Sequence, residues 1–234
     1  MNKNLTHIPT KKQLIWGWIY LGVDTIVLPF LIALAIIALR SIIPFSITEG
    51  QYNGIYFSIN FIVVMLIFHK FLFQEICRCK GRIGQLLKTA GLGFLIYMTV
   101  NFFVGVIIAS LNPGFTNVND SAIAEMVASD YWILAIGTTL LVPVTEELLF
   151  RGVLFAGLYN RSKIAAYAVS ALLFSAVHVV GYIGQYPAAT LLLCLVQYVT
   201  PSLCLCWTYA KADSILVPVL IHTVINTLGI LSMR

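Results

Sequence analysis

The sequence predicts an all-α protein, a polytopic transmembrane helical bundle of about seven spans with a cytosolic N-terminus. Composition is the first reason: of 234 residues, 60% are hydrophobic and only 10% are charged, against about 25% charged in an average soluble domain. Length is the second reason, because a span with its loop takes about 30 residues, which leaves room for about six to eight spans. Lipid offers the backbone no hydrogen-bonding partners, so each span is expected to be a helix.

Three spans are predicted in the first half of the chain. The first, 14–39, is a long apolar run that contains Pro29. The second and third are the apolar runs 54–73 and 89–111, which lie on either side of a basic connection. Each run has about the length that a helix needs to cross the hydrocarbon core.

Four further spans are predicted in the second half, at 131–157, 164–181, 188–209 and 215–232. Prolines fall inside three of these runs, at Pro143, Pro201 and Pro218. A proline inside a membrane helix leaves carbonyl groups free and bends the helix, which favours the opening of a cavity. No stretch remains for a soluble domain, so residues 1–234 are interpreted as a single membrane domain.

Basic residues predict the orientation of the spans. With a cytosolic N-terminus, eleven lysines and arginines lie on the cytosolic side, whereas only Arg40 and Arg234 lie outside. The cytosolic residues are Lys3, Lys11, Lys12, Lys70, Arg78, Lys80, Arg82, Lys88, Arg161, Lys163 and Lys211. Positive charge between spans reports orientation. We therefore do not read the net charge of +5 as a nucleic-acid site, and the bilayer is the expected partner.

Charged residues inside the fourth span form the first candidate site. Glu146 and Glu147 are adjacent in an apolar run, where an ionisable group costs at least about 2.5 kcal/mol and needs a partner or a wet cavity. Arg151 follows Glu147 by four residues, so the two side chains share a helix face and can pair. Glu146 points about 100° away and is free to serve as a general base. A purely structural ion pair remains the alternative for Glu147 and Arg151.

Two later spans add histidines to this site. His178 follows Phe174 by four residues, and His222 precedes Asn226 by four, so each pair shares a helix face. Measured by helical rise from the cytosolic ends of their spans, Glu147, both histidines and Asn226 lie about 10 to 21 Å deep. A single histidine in an apolar helix is usually a packed core group. Two histidines near the depth of a glutamate pair predict one functional site in the cytosolic half of the membrane.

Three motifs in order carry a resemblance to a known family: EExxxR at Glu146, Glu147 and Arg151, FxxxH at Phe174 and His178, and HxxxN at His222 and Asn226. This pattern resembles the CPBP intramembrane proteases, the superfamily of CAAX prenyl endopeptidases and bacteriocin-processing (Abi-type) or immunity proteins. The resemblance covers residues 130–232, which would form the catalytic core. The short chain without appended domains is most similar to the bacterial branch, which implies the bacterial cytoplasmic membrane.

The resemblance implies hydrolysis of a peptide bond by a water that Glu146 activates. His178 would help to position the water or share its proton, and His222 with Asn226 would hold the oxyanion. Glu147 and Arg151 would orient the site, and Phe174 would form a wall of the substrate pocket. The expected substrate is a membrane-associated or prenylated-like peptide, a lipidated protein, or a bacteriocin-type precursor.

Two questions stay open at this stage. The cofactor is either none or one zinc ion, for which His178, His222 and Glu146 are the candidate ligands. The function is either proteolysis, a non-catalytic binding or immunity role that keeps the site for folding, or proton-coupled transport. Transport is the least favoured, because the two halves of the sequence show no inverted repeat. The oligomeric state is not predicted.

Overall fold

The computed structural model describes residues 4–234, so Lys3, which we counted among the cytosolic basic residues, lies outside the described part. Seven continuous helices and no strands occur within residues 4–234, which confirms the predicted all-α fold. They are α1 (Lys11–Arg40), α2 (Glu49–Arg78), α3 (Ile83–Leu111), α4 (Val118–Tyr159), α5 (Lys163–Val177), α6 (Ala188–Ala212) and α7 (Leu216–Ser232). Five of the seven helices that the structure describes, α1 to α4 and α6, are long and apolar enough to cross a membrane.

Helix α4 differs most from its predicted span. Its 42 residues begin at Val118, inside the stretch expected to be an outside loop. Asn117 caps this start, because its side-chain oxygen accepts hydrogen bonds from the backbone of Asn119 and Asp120. At Asp130 the backbone leaves the helical region (φ −134°, ψ 47°), which marks a kink. The expected loop is therefore a helical arm that the kink joins to the membrane-spanning part.

Helix α5 ends earlier than predicted. The expected span ran to residue 181, but the helix stops at Val177 and His178 is its C-cap. A short 3₁₀ turn, Val180–Tyr182, follows. The residues after the helix are apolar enough to extend a hydropathy run, but Gly181 and Gly184 lie among them, and Gly184 has a φ of +85°. His178 therefore lies at a helix end, where carbonyl groups are free, and not inside a span.

Three wide π-helical segments interrupt the membrane helices, at Val23–Val27, Gly137–Leu141 and Glu147–Phe155. Two of them have a proline as their cause. Pro29 and Pro143 carry no N–H, and each ring crowds the carbonyl four residues earlier, which lies in the first and second segment respectively. The sequence predicted that these prolines free backbone carbonyls. In the structure, the helix widens into a π segment just before each of them.

The core of the bundle surrounds the third π segment. All nine of its residues, Glu147–Phe155, are buried. Around it pack large side chains of α2 and α6, among them Phe68, Phe71 and Tyr209. In contrast, α1 and α3 expose most of their apolar side chains, as expected for helices that face lipid. Helix α4 is thus a central helix, which explains how it can carry charged side chains at this depth.

Candidate active site

Glu147 and Arg151 form a fully buried ion pair at the centre of the bundle. Both side chains have 0% exposure, and Nη1 of Arg151 lies 3.1 Å from Oε1 of Glu147. The guanidinium also donates to the hydroxyl of Ser202 on α6 at 3.0 Å. The predicted pairing is therefore present. Ser202 is a partner that the sequence did not single out, although it follows Pro201, a proline inside α6.

His222 is held by the same carboxylate. Its Nδ1 lies 2.8 Å from Oε1 of Glu147. Because an ionised carboxylate only accepts hydrogen bonds, this contact assigns the proton of the neutral ring to Nδ1 and leaves a lone pair on Nε2. Nε2 lies 3.8 Å from Oε2 of Glu146. Glu147 thus orients the imidazole so that its free nitrogen faces the neighbouring glutamate.

His178 is oriented in an equivalent way by the end of its own helix. Its Nδ1 lies 2.7 Å from the carbonyl oxygen of Phe174, one of the carbonyls left free at the C-terminus of α5. A carbonyl accepts only, so Nδ1 carries the proton here as well, and Nε2 is the acceptor. This Nε2 lies 3.9 Å from Oε1 of Glu146. Two imidazoles from different helices therefore direct an acceptor nitrogen at one carboxylate.

Glu146 is the partly accessible member of the glutamate pair. Its side chain is 22% exposed, whereas that of Glu147 is wholly buried. Oε2 of Glu146 is buried and has no hydrogen-bonding partner in the described part of the chain. A buried carboxylate oxygen needs a partner, and a water molecule can supply it. Separations of 3.8 and 3.9 Å from the two imidazoles lie within the reach of one shared water, given hydrogen bonds of about 2.8 Å.

Phe174 lies beneath the two imidazoles. Its side chain is only 3% exposed, and its role as a wall of the substrate pocket stays a prediction. Its ring stacks over the guanidinium of Arg151, with 4.3 Å from Cζ to the ring centroid. The ring centroids of His178 and His222 lie 4.6 and 6.1 Å away. Phe174 therefore packs the buried cation against the site and excludes water from beneath it.

Asn226 binds the second π segment of α4. Its Nδ2 donates to the carbonyl oxygen of Thr138 at 2.8 Å. This carbonyl lies in Gly137–Leu141, where the wide turn before Pro143 disturbs the regular pattern of backbone bonds. One N–H of the amide is used in this contact, and the other is available to a ligand. The link from Asn226 to Thr138 could not be read from the sequence, because it depends on the π turn.

Further polar groups surround His178 and Glu146. Tyr198 of α6 stacks on the imidazole of His178 with 4.4 Å between centroids, and its hydroxyl donates to Asp120 at 2.8 Å. Asp24 of α1 accepts hydrogen bonds from Tyr56 and Asn60 of α2, the helix that packs against the segment Val142–Glu146. Sequence reasoning left Asp24 unassigned and missed Tyr198, although tyrosines within spans are a usable signal.

The arrangement of Glu146, His178 and His222 is wider than a zinc site. In tetrahedral zinc coordination with ligand bonds near 2.0–2.1 Å, two ligand atoms are about 3.3 Å apart. The carboxylate here is 3.8 and 3.9 Å from the two Nε2 atoms. Across residues 4–234, no group of three or more His, Cys, Asp or Glu side chains is placed to hold a metal ion. The residues as they stand do not form a closed zinc ligand set, and we derive no step through a metal.

Comparison with known proteins agrees with the motifs. Residues 128–228 match the family model of the Rce1-like type II CAAX prenyl endopeptidases. The match covers somewhat less than half of the chain, and it is to the same group of proteins that the three motifs resemble. The matched range is close to the range 130–232 that the motifs suggested. It contains both glutamates, Glu146 and Glu147, and both histidines, His178 and His222.

A curated relative is the UPF0177 protein YxdF of Lactococcus lactis subsp. lactis (strain IL1403). It is 30% identical over 90 residues, which is 38% of this chain and 44% of that protein. The match thus spans less than half of the relative's length. No solved structure matches the chain. The long apolar helices and the match to this endopeptidase family support an integral membrane protein.

Proposed function

We propose that this protein is an intramembrane endopeptidase that hydrolyses a peptide bond with a water activated by Glu146. The convergence of Glu146 with Nε2 of His178 and of His222 carries the proposal. A general base must lie within hydrogen-bonding reach of the proton that it takes, directly or through one water. The comparison adds support, because residues 128–228 match a family of CAAX prenyl endopeptidases.

The first step is proton transfer from water to Glu146. The hydroxide so formed attacks the carbonyl carbon of the substrate, and the carbonyl oxygen becomes an oxyanion. Nε2 of His178 accepts a hydrogen bond from the same water. His178 and Glu146 then share the proton that the water has lost. When the C–N bond breaks, this proton passes to the leaving nitrogen, so a carboxylic acid and an amine are released and Glu146 returns to the carboxylate.

Stabilisation of the oxyanion falls to His222 and Asn226. His222 can donate to an oxyanion only when Nε2 is protonated. This proton comes from solvent water before the peptide binds and stays on the ring through the reaction, so it is separate from the proton that Glu146 passes to the leaving nitrogen. The carboxylate of Glu147, 2.8 Å from Nδ1, then balances the positive charge on the ring, as a buried aspartate does in serine proteases. The unused N–H of Asn226 supplies a second donor. Glu147 and Arg151 orient this half of the site.

The substrate that fits this site is a peptide presented from the membrane. A reactive group at the centre of a helical bundle is accessible to apolar or lipid-linked segments, such as a prenylated-like peptide or a bacteriocin-type precursor. The distribution of basic residues supports a site nearer the cytosolic half of the membrane, and the Lactococcus lactis relative supports a bacterial cytoplasmic membrane. The separations of 3.8 and 3.9 Å between Glu146 and the two imidazoles support metal-free glutamate chemistry.

Replacement of the general base tests the proposal. We expect Glu146→Gln to reduce cleavage of a mixture of apolar quenched-fluorescence peptides in proteoliposomes by at least about a hundredfold, the usual contribution of general base catalysis. The matched control is Glu125→Gln, the same chemical change at an exposed position of the helical arm, which should cleave like the parent. Equal cleavage by Glu146→Gln and the parent would remove Glu146 from the mechanism. Protection of cells by Glu146→Gln would instead favour the binding or immunity role.

The metal-free proposal makes a separate prediction. We expect the purified protein to hold much less than one zinc per chain by elemental analysis and to retain its cleavage rate after dialysis against a strong chelator. A stoichiometric zinc content, with activity lost on dialysis and restored by zinc, would show that the site contracts around a metal and would make His178 and His222 ligands.

A further inference from the structure

Asp24 is a buried carboxylate at the edge of the proposed active site, outside the family-matched range. It lies in the first π segment of α1, Val23–Val27, and has 9% exposure. Its partners Tyr56 and Asn60 belong to α2, which packs against the segment Val142–Glu146 of α4 that carries the proposed general base. Because π turns frequently mark functional sites, the position of Asp24 in a widened turn indicates more than helix packing.

The partners of Asp24 are neutral and bind one of its two oxygens. The hydroxyl of Tyr56 donates to Oδ1 at 2.7 Å, and Nδ2 of Asn60 donates to the same atom at 2.5 Å. Asn60 is oriented in turn by Tyr20, whose hydroxyl donates to its Oδ1 at 2.5 Å. The structure gives Oδ2 of Asp24 no donor among residues 4–234. The network thus fixes the carboxylate and leaves one oxygen for a ligand.

The charge of Asp24 is also uncompensated. Among the described residues, no lysine, arginine or histidine lies within ion-pair distance of it. Arg151, the buried cation of the site, is engaged by Glu147 and Ser202. A carboxylate at membrane depth is costly without a partner. The arrival of a positive charge with the substrate would lower this cost.

We propose that Asp24, oriented by Tyr56 and Asn60, binds a lysine or arginine side chain of the peptide substrate close to the bond that is cut. The inference rests on the proposed protease function and names a feature of its substrate. It makes Asp24 a specificity residue, since its carboxylate contacts the substrate's side chain and not the reacting atoms. An apolar segment that carries one basic residue is thus the preferred substrate.

Binding tests this inference independently of cleavage. The probe is an apolar peptide with one lysine, placed in turn at each central position, and the reference is the same peptide with norleucine. In nanodiscs containing the Glu146→Gln protein, we expect one lysine position to bind at least about thirtyfold more tightly than norleucine, as expected for a buried, hydrogen-bonded charge pair. Adding Asp24→Asn should bring this ratio close to one.

Cleavage gives the second readout. With the parent protein, the lysine peptide should show a lower KM than the norleucine peptide, and Asp24→Asn should reduce the lysine preference. A purely structural role for Asp24 would lower the cleavage of both peptides equally and leave the ratio intact. Glu125→Gln is the matched control that should keep the lysine preference.

Two outcomes separate the failure of this inference from that of the protease proposal. Equal binding of lysine and norleucine peptides at every position overturns the role of Asp24, whether or not the parent cleaves either peptide. A lysine preference in binding that depends on Asp24, without any cleavage, upholds the subsite and overturns the protease. If Asp24→Asn unfolds on purification, Tyr56→Phe removes one orienting hydrogen bond and should weaken the preference in the same direction; an unchanged preference there counts against the proposal.

Discussion

At the scale of single residues, Glu147 is the side chain on which the site depends. One oxygen of its carboxylate faces both Arg151 at 3.1 Å and Nδ1 of His222 at 2.8 Å. Since all three side chains are nearly or wholly buried, loss of one partner leaves a charge without compensation. The cost of such an orphan charge exceeds what the intact pair contributes to stability. The neighbouring Glu146 has no lysine or arginine within ion-pair distance among the described residues, which leaves it available for the proposed role of general base.

Arg151→Met tests the orphan charge. We expect it to lower the free energy of unfolding by about 3–5 kcal/mol, because the buried carboxylate of Glu147 loses its cation and keeps only the hydrogen bond from His222. The double variant Arg151→Met with Glu147→Gln should recover part of this loss, since both charges are then gone. The readout is the thermal unfolding temperature in detergent. Additive losses in the double variant would show that the two side chains are not coupled.

At the scale of elements, the wide turns of α4 position the groups of the site. The turn Gly137–Leu141 presents the carbonyl of Thr138 to Asn226 on α7. The turn Glu147–Phe155 carries the buried ion pair. A regular α-helix would rotate every side chain beyond each turn, so Glu146 would no longer face the two imidazoles. The irregularity of the helix is therefore part of the geometry of the site.

Pro143→Ala tests the role of the turn before the glutamates. Alanine restores the missing N–H and removes the crowding of the carbonyl four residues earlier, so the turn can relax to an α-helix. We expect peptide cleavage to fall by about tenfold to a hundredfold, as for a displacement of about 1 Å in a catalytic group. Thermal stability should not fall. The control is Pro44→Ala, outside the helices, and full activity of Pro143→Ala would show that the turn has another cause.

At the scale of the whole molecule, a strap of residues 4–10 ties together the ends of several helices. The backbone N–H and C=O of Leu5 both bond to the side chain of Asn160, after α4, at 3.0 and 3.1 Å. Thr6 donates to the carboxylate of Asp213, after α6, through its backbone and its hydroxyl. Nη2 of Arg78 at the end of α2 lies 3.1 Å from the same carboxylate. Asp213 thus joins three segments that are distant in the sequence.

The strap should be sensitive to acid. Burial alone would raise the pKa of Asp213, but the hydrogen bonds from Thr6 and the charge of Arg78 outweigh it and lower the pKa. A carboxyl with a depressed pKa in the folded state stabilises that state above its ordinary pKa of about 3.9. This contribution is lost as the pH falls through the lower, folded-state value.

Asp213→Asn should therefore lower the free energy of unfolding at pH 7 by about 1 kcal/mol, a modest effect because the group is partly exposed. The difference from the parent should disappear near pH 3. Thermal unfolding in detergent at the two pH values measures this, with Glu125→Gln as the exposed control. An equal destabilisation at both values would mean that the carboxylate charge does not hold the strap.

The sequence alone was sufficient to predict the class of fold and to predict that the glutamates, Arg151 and the two histidines lie close together. Apolar length determines the number of spans, because lipid leaves the backbone no alternative to the helix. Spacing of four residues determines that Glu147 can reach Arg151, since this contact lies within one helix. Charges such as Glu146 and His222 were recognisable because they are costly in an apolar run. These properties depend on residues that are close together in the chain, so the pattern of the sequence is enough to predict them.

Only the tertiary structure decided how these residues divide their roles. The structure shows that His222 binds Glu147 and not Glu146, that Asn226 donates to Thr138, and that His178 caps the end of a helix. These contacts depend on π turns and on the approach of separate helices. Asp24 shows the same limit, because its neutral partners lie on another helix, which packs against the segment that carries Glu146. Contacts between helices are set by the packing of the whole bundle, and no spacing along one segment encodes them.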